Sequence, residues 1–215
     1  MSKVFPEITE ELARFITAQP MFFVGSAPSG DEGLVNISPK GYKDTFAVID
    51  GHTVAYLDLY GTGAETIAHV RQNGRIVIMF CSFERRSRIL RLHGRGRMLR
   101  PDVPEYAEHI DRFGPDHPGE RAIILIDVVR IADSCGWTVP YMELKSERPV
   151  LDRVQSTQSA DEWEYRVAQE NAFSIDGLLA LDPDHPRPVP AGGVTDGPMA
   201  AMLQRGKKKE ELSGA

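Results

Sequence analysis

Three stretches of this 215-residue chain combine side chains and backbone suited to holding an anion. The first is Tyr60-Gly61-Thr62-Gly63-Ala64-Glu65-Thr66, a glycine loop that opens a helical pattern. A helix start of this kind presents free backbone N–H groups and a positive dipole end, where a phosphate can sit. The same residues also fit a Thr-x-x-Glu capping box, with Thr62 as N-cap and Glu65 as its partner. Both readings use the same N–H groups and do not exclude each other. The second stretch is Asn36-Ile37-Ser38-Pro39-Lys40-Gly41, which sets a hydroxyl and an ammonium at the end of a strand pattern. Lys40 there is either a solvated surface residue or a charge-assisted anion ligand. The third is an arginine-rich hairpin carrying Arg85, Arg86, Arg88, Arg91, Arg95, Arg97 and Arg100. Arg91, Arg95 and Arg97 fall on one side of the strand, with Leu90, Leu92 and Met98 on the other. Most of these arginines read as a charged outer face with arms lying along the sheet, leaving a subset available to an anion.

Other chemistries find little support. The six histidines (His52, His69, His93, His109, His117 and His185) form no HExxH or other close ligand set. Neither a Gly-x-Ser-x-Gly elbow nor a Walker motif occurs. A net charge of −6 argues against a general nucleic-acid binder. Two cysteines without a CxxC do not make a disulfide framework and fit a reducing compartment. The start MSKVFPEITEE has no apolar signal core, and no run approaches the roughly 18 apolar residues of a membrane span. The expectation is a cytoplasmic protein with no membrane partner.

These stretches must be positioned by the elements around them. Ile8, Leu12, Phe15 and Ile16 have the spacing of an amphipathic helix over Ile8–Ala18, with Thr9 near its start. Strands are expected at Met21–Ala27, Leu34–Ser38, Phe46–Ile49, Thr53–Leu59, Arg75–Phe83, Arg88–Leu99 and Ala122–Ala132. A short helix is expected over Ala64–Asn73, with Gly74 at its C′ position. Helical patterns also cover Pro104–Phe113 and Asp161–Ala172, and Asn171–Leu181 passes through a Ser-Ile-Asp-Gly turn. From Asp182 the chain turns Pro-rich and then basic, so Pro183–Ala215 is expected to be peripheral. Many short strands with one inserted helix make an antiparallel barrel with peripheral helices, a mainly β fold.

Over Pro20–Tyr141 the chain resembles the pyridoxamine 5′-phosphate oxidase-like, FMN-binding split-barrel proteins. Lys40-Gly41 after a strand is similar to the Lys-Gly that ends a family strand. Leu59–Phe80 is similar to the family's strand, small-residue loop, short helix, turn and apolar strand. Arg88-Ile89-Leu90-Arg91-Leu92-His93-Gly94 is similar to its Arg-Gln-Val-Arg-x-x-Gly. Ser-Pro-Lys-Gly, Gly-x-Gly-x-Glu-Thr, Gly-Trp-Thr-Val-Pro-Tyr and Asn-x-x-Ser-Ile-Asp-Gly-Leu resemble a divergent, uncharacterised branch. The resemblance implies a six-stranded antiparallel Greek-key split barrel over residues 1–150, with residues 151–215 as a helical extension and tail. It also implies FMN, a homodimer with cofactor at the interface, and oxidoreductase chemistry on a small molecule.

The chain departs from the oxidase at several points. Val35 stands in place of the strand arginine, Ala64-Glu65-Thr66 in place of the phosphate-binding Ser-Arg-Lys, and Ile89 in place of the flavin-contacting Gln. The oxidase's Trp- and Arg-rich substrate segment is missing. The implied substrate is therefore not pyridoxamine 5′-phosphate. The phosphate falls to Lys40, to hydroxyls of Ser38, Thr62 and Thr66 beside Asn36, and to N–H groups of Gly61–Ala64, with Gly63 among them. Glu65 would repel a phosphate, so it is expected to point away or to cap the helix. Lys40 or Arg88 would supply a cation to the flavin's N1–C2=O edge, and Trp137 with Tyr141 would wall its ring. A non-catalytic flavin or haem carrier and an F420-dependent reductase are the competing expectations. No histidine is obviously placed as a haem axial ligand.

Overall fold

The computed structural model describes residues 3–61, 63–114 and 117–181. Thr62 and the expected peripheral tail Pro183–Ala215 lie outside the described residues. The chain runs β1 (Lys3–Phe5), α1 (Glu10–Ala18), β2 (Phe22–Ser26), β3 (Asn36–Lys40), β4 (Phe46–Val48), β5 (Thr53–Leu59), α2 (Glu65–Gln72), β6 (Arg75–Cys81), β7 (Ile89–Leu99), α3 (Pro104–Ala107), β8 (Glu120–Ser134), α4 (Val150–Gln155) and α5 (Ala160–Glu170). All strand pairs are antiparallel, in the order β3-β2-β6-β7-β8-β5-β4, with β1 added to β8.

The mainly β split barrel expected from the sequence is present, with eight strands among the described residues rather than six. β1 escaped notice because three residues are too few to show alternation; it exists by pairing Val4 with Ala132. β3 starts at Asn36, not Leu34, and runs through Pro39 to Lys40. A proline without an N–H is tolerated there because β3 is an edge strand. The helical pattern at Pro104–Phe113 resolves into the single turn α3 and a 3₁₀ turn at Ile110–Arg112. α4 was not expected from the sequence.

Local signals operate as the sequence suggests. Thr9 caps α1, its Oγ1 accepting from Leu12 N at 3.4 Å, and Leu12 and Ile16 are buried. Gly74 adopts φ +70°, and its N–H reaches the carbonyls of His69 and Val70, closing α2. The glutamates of α1 and the arginines of β7 stay outside. Arg91 donates to Ser134 Oγ, Arg95 to the Asn73 carbonyl, and Arg97 pairs with Glu105.

β5 and β8 are buried on both faces. Val54, Tyr56, Ile124 and Ile126 face the main core with α1 and α2, while Ala55, Leu57, Ile123 and Leu125 face a second core under Tyr106 and Phe113. Strict alternation puts Asp58 on the Val54–Tyr56 side, inside the barrel. At this point the ladder slips. Asp58 pairs with Ala122 and Leu59 with Glu120, which leaves Arg121 as the extra residue of a β-bulge. A bulge re-aims a side chain that alternation would send to the opposite face, and Arg121 turns to meet Asp58. After α5 the chain returns to the barrel, where Ala180 and Leu181 join the main core. The extension as far as Leu181 thus shares the barrel's packing.

Candidate functional site

The sheet's curvature brings together residues that are remote along it. Lys40, on the β3 edge, donates from Nζ to Asp58 Oδ1 on β5 at 2.9 Å, although four strands separate β3 from β5 in the sheet order. The Asp58 side chain is 1% exposed, and its other oxygen accepts from Arg121 Nε at 2.8 Å and Nη2 at 2.6 Å. Burial raises the Asp58 carboxyl, but Arg121 and Lys40 together overcome it and hold the carboxyl below the usual range. Two cations against one carboxylate leave the cluster one positive charge in excess. Lys40 spends one of its three N–H donors on Asp58.

Arg121 also reaches the glycine loop. Its Nη1 donates to the Gly63 carbonyl at 3.1 Å and to Asn171 Oδ1 at 2.8 Å. Asn171 Nδ2 donates in turn to the Gly61 carbonyl at 3.0 Å. Sequence reasoning missed both Arg121 and Asn171. The available signal was a charged residue, Asp58, inside the apolar run Thr53–Leu59, since a buried carboxylate demands a cation.

Beside this cluster, alternation along β3 puts Asn36, Ser38 and Lys40 on one face. Asn36 Nδ2 lies 3.2 Å from both Ser38 Oγ and Thr66 Oγ1, joining β3 to the first turn of α2. The N-cap of α2 is Ala64, whose side chain makes no cap hydrogen bond; the capping box expected of Thr62 and Glu65 falls on a residue outside the described ones. A helix N-terminus with alanine as its N-cap, next to hydroxyls and an excess positive charge, fits a phosphate. Glu65 does not point away. Its carboxylate folds back against Gly63, leaving no room for a Cβ there. The helix dipole favours a carboxylate in that place, and an incoming phosphate has to displace it.

Lys40 opens onto a cavity of about 630 Å³ lined by Tyr42, Leu57, Tyr60, Leu144 and Arg148 among others. The outer wall is a strap formed by the segment before and within α4. Tyr42 Oη donates to the Arg148 carbonyl, Lys43 N to Glu147, and His117 lies between Asp44 and Asp152 with its ring stacked on Tyr42. Tyr42 has φ +61°, an uncommon conformation for a non-glycine residue; the strap and His117 hold it there. Tyr60 Oη donates to Glu170 at 2.6 Å. Burial and that carboxylate push the phenol far above its ordinary value, so Tyr60 stays protonated.

Two expected site residues lie elsewhere in the chain. Arg88 pairs with Asp133 at 3.2 Å and Glu11 at 3.4 Å and lies over the Phe15 ring. Trp137 is 83% exposed, and Tyr141 is exposed as well. His69 is fully buried, with Nδ1 at 2.9 Å from Ser26 Oγ; burial lowers its pKa and favours the neutral ring.

Comparison with known proteins shows what this chain is similar to. The family model described as pyridoxamine 5′-phosphate oxidase matches residues 8–135. The pyridoxamine 5′-phosphate oxidase family protein ustO of Aspergillus flavus is 36% identical over 192 residues, which cover 82% of this chain and 77% of that protein. Among solved structures, HupZ of Group A Streptococcus aligns with a TM-score of 0.44 at 24% identity, covering 58% of this chain and 91% of its own. An FAD-binding protein of Mesorhizobium loti aligns with a TM-score of 0.44 at 12% identity, covering 62% and 96%. The match over more than half the sequence, with a close relative across most of it, assigns this chain to the pyridoxamine 5′-phosphate oxidase family.

Proposed function

We propose that this chain is an FMN-binding flavoprotein, an oxidoreductase for a small molecule other than pyridoxamine 5′-phosphate, and a homodimer with cofactor at the subunit interface. The observation that carries the reading is the start of α2, which has Ala64 as its N-cap and carries Thr66 against Asn36 and Ser38, with Lys40 and Arg121 adding positive charge nearby. FMN, when bound, supplies hydride chemistry at its N5. The protein's own contribution is to hold and orient the phosphate from the loop and to keep one lysine N–H array facing the 630 Å³ cavity. The Tyr42–Arg148 strap forms the outer wall of that cavity. Arg88 and Trp137, which a single chain holds outside the Lys40 cluster, take part in this reading through the second copy.

The decisive experiment is the identity of the cofactor that copurifies, by absorption spectrum and mass. Near-UV and blue flavin bands with the mass of FMN are expected. A Soret band or the mass of a deazaflavin overturns the FMN assignment in favour of haem or F420. Turnover with a nicotinamide donor then separates an enzyme from a carrier. Assembly is tested separately by sedimentation at micromolar concentration, where a dimer is expected; a monomer saturated with FMN sinks the shared-interface reading.

A further inference from the structure

The family model ends at residue 135, yet the glycine loop is held by a residue 36 positions further on. The turn Asn171-Ala172-Phe173-Ser174-Ile175-Asp176-Gly177-Leu178 is built to present that residue. Ser174 N donates to the Leu178 carbonyl, Leu178 N to Ser174 Oγ, and Gly177 takes φ +74° to close the turn. Asp176 accepts from Leu34 N ahead of β3, and Arg71 of α2 donates to the Ala180 carbonyl. Asn171 itself is 0% exposed, and its carbonyl accepts from Leu181 N. Every polar atom of its side chain faces the cofactor loop or the arginine that supports it.

We propose that Asn171 is a positioning residue for the phosphate-binding loop, so that the C-terminal turn sets the affinity for a phosphate-bearing cofactor. The Gly61 carbonyl is tied to Asn171, and the Gly63 carbonyl to Arg121, which Asn171 also engages. In a trans peptide the N–H points opposite to the carbonyl before it. Fixing the Gly63 carbonyl inward therefore turns the Ala64 N–H to the other side of the loop, away from Arg121. Glycines left unanchored sample many conformations, and a cofactor would have to order them on binding.

This inference rests on the phosphate reading above, and its test separates the two. FMN and riboflavin affinities are measured by flavin fluorescence quenching for wild type, Asn171→Ala and Asn171→Asp, the last keeping an acceptor for Arg121 but losing the donor to Gly61. Asp176→Ala, which removes the bond to Leu34 N and leaves the Ser174–Leu178 bonds and both Asn171 side-chain contacts in place, is the control. The expected result is FMN binding weakened about tenfold in both Asn171 variants, the size of one hydrogen bond. Riboflavin affinity and the Asp176→Ala variant are expected to match wild type. Hydrogen exchange of the apoprotein reads the same effect without cofactor: amides of Gly61 and Ala64–Ile67 should exchange faster, with β6 and β7 unchanged. Equal losses for FMN and riboflavin, or unchanged exchange at the loop, overturn the proposal. If wild type binds FMN no better than riboflavin, the phosphate reading falls, and the exchange measurement still decides whether Asn171 holds the loop. Should Asn171→Ala fail to fold, Asn171→Asp carries the test.

Discussion

Arg121→Ala is expected to destabilise the protein by about 3–5 kcal/mol in urea unfolding, the cost of removing one partner of a buried ion pair. Asp58 is 1% exposed and Arg121 5%, so neither is rescued by solvent. Lys40 still faces Asp58 in the variant, which places the expectation toward the lower end of that range. The Gly63 carbonyl and Asn171 Oδ1 lose their donor as well. The pH dependence follows from the Asp58 carboxyl, whose folded-state pKa is depressed. A depressed carboxyl contributes stability above its unfolded pKa and loses it as pH falls through the folded value. The difference between wild type and Arg121→Ala should therefore be largest near neutral pH and shrink below about pH 4, the ordinary aspartate value. Asp58→Asn combined with Arg121→Ala should cost less than the sum of the single changes. A loss under about 1 kcal/mol at pH 7, the size typical of an exposed pair, would show that water reaches the pair in solution.

Lys40→Ala should weaken FMN binding roughly 10- to 100-fold, from the 1.5–3 kcal/mol of a charge-assisted hydrogen bond. Riboflavin, lacking the phosphate, should bind both forms alike. The fold should survive because Asp58 keeps both its bonds to Arg121. Arg88→Ala is the informative control. Arg88 is engaged by Asp133 and Glu11, so its loss should leave FMN affinity unchanged unless a second copy carries it to the cofactor. Fluorescence quenching measures all four combinations. Normal FMN binding by Lys40→Ala would remove Lys40 from the site and leave the phosphate to the start of α2.

What the sequence determined by itself are the features whose physics is local. Thr9 caps α1 because an N-cap needs only the next three residues. Gly74 closes α2 because a left-handed residue there favours glycine. Thr53–Leu59 was legible to the residue, since a β-branched and apolar run specifies its own strand. Asn36 and Ser38 fall on one face of the expected strand by alternation, and Lys40 joins them because β3 runs on through Pro39. The tertiary structure decided the rest. Asp58 and Arg121 are 63 residues apart, and alternation would set them on opposite faces of β5–β8. Only the bulge, a property of how two strands register against each other, turns Arg121 inward. Asn171 lies 110 residues from the Gly61 carbonyl it holds, and nothing about an asparagine after a helix announces that partner. The start of α2 at Glu65, with Ala64 before it, was likewise a tertiary matter. That boundary depends on the loop's anchors, Arg121 and Asn171, which come from elsewhere in the chain.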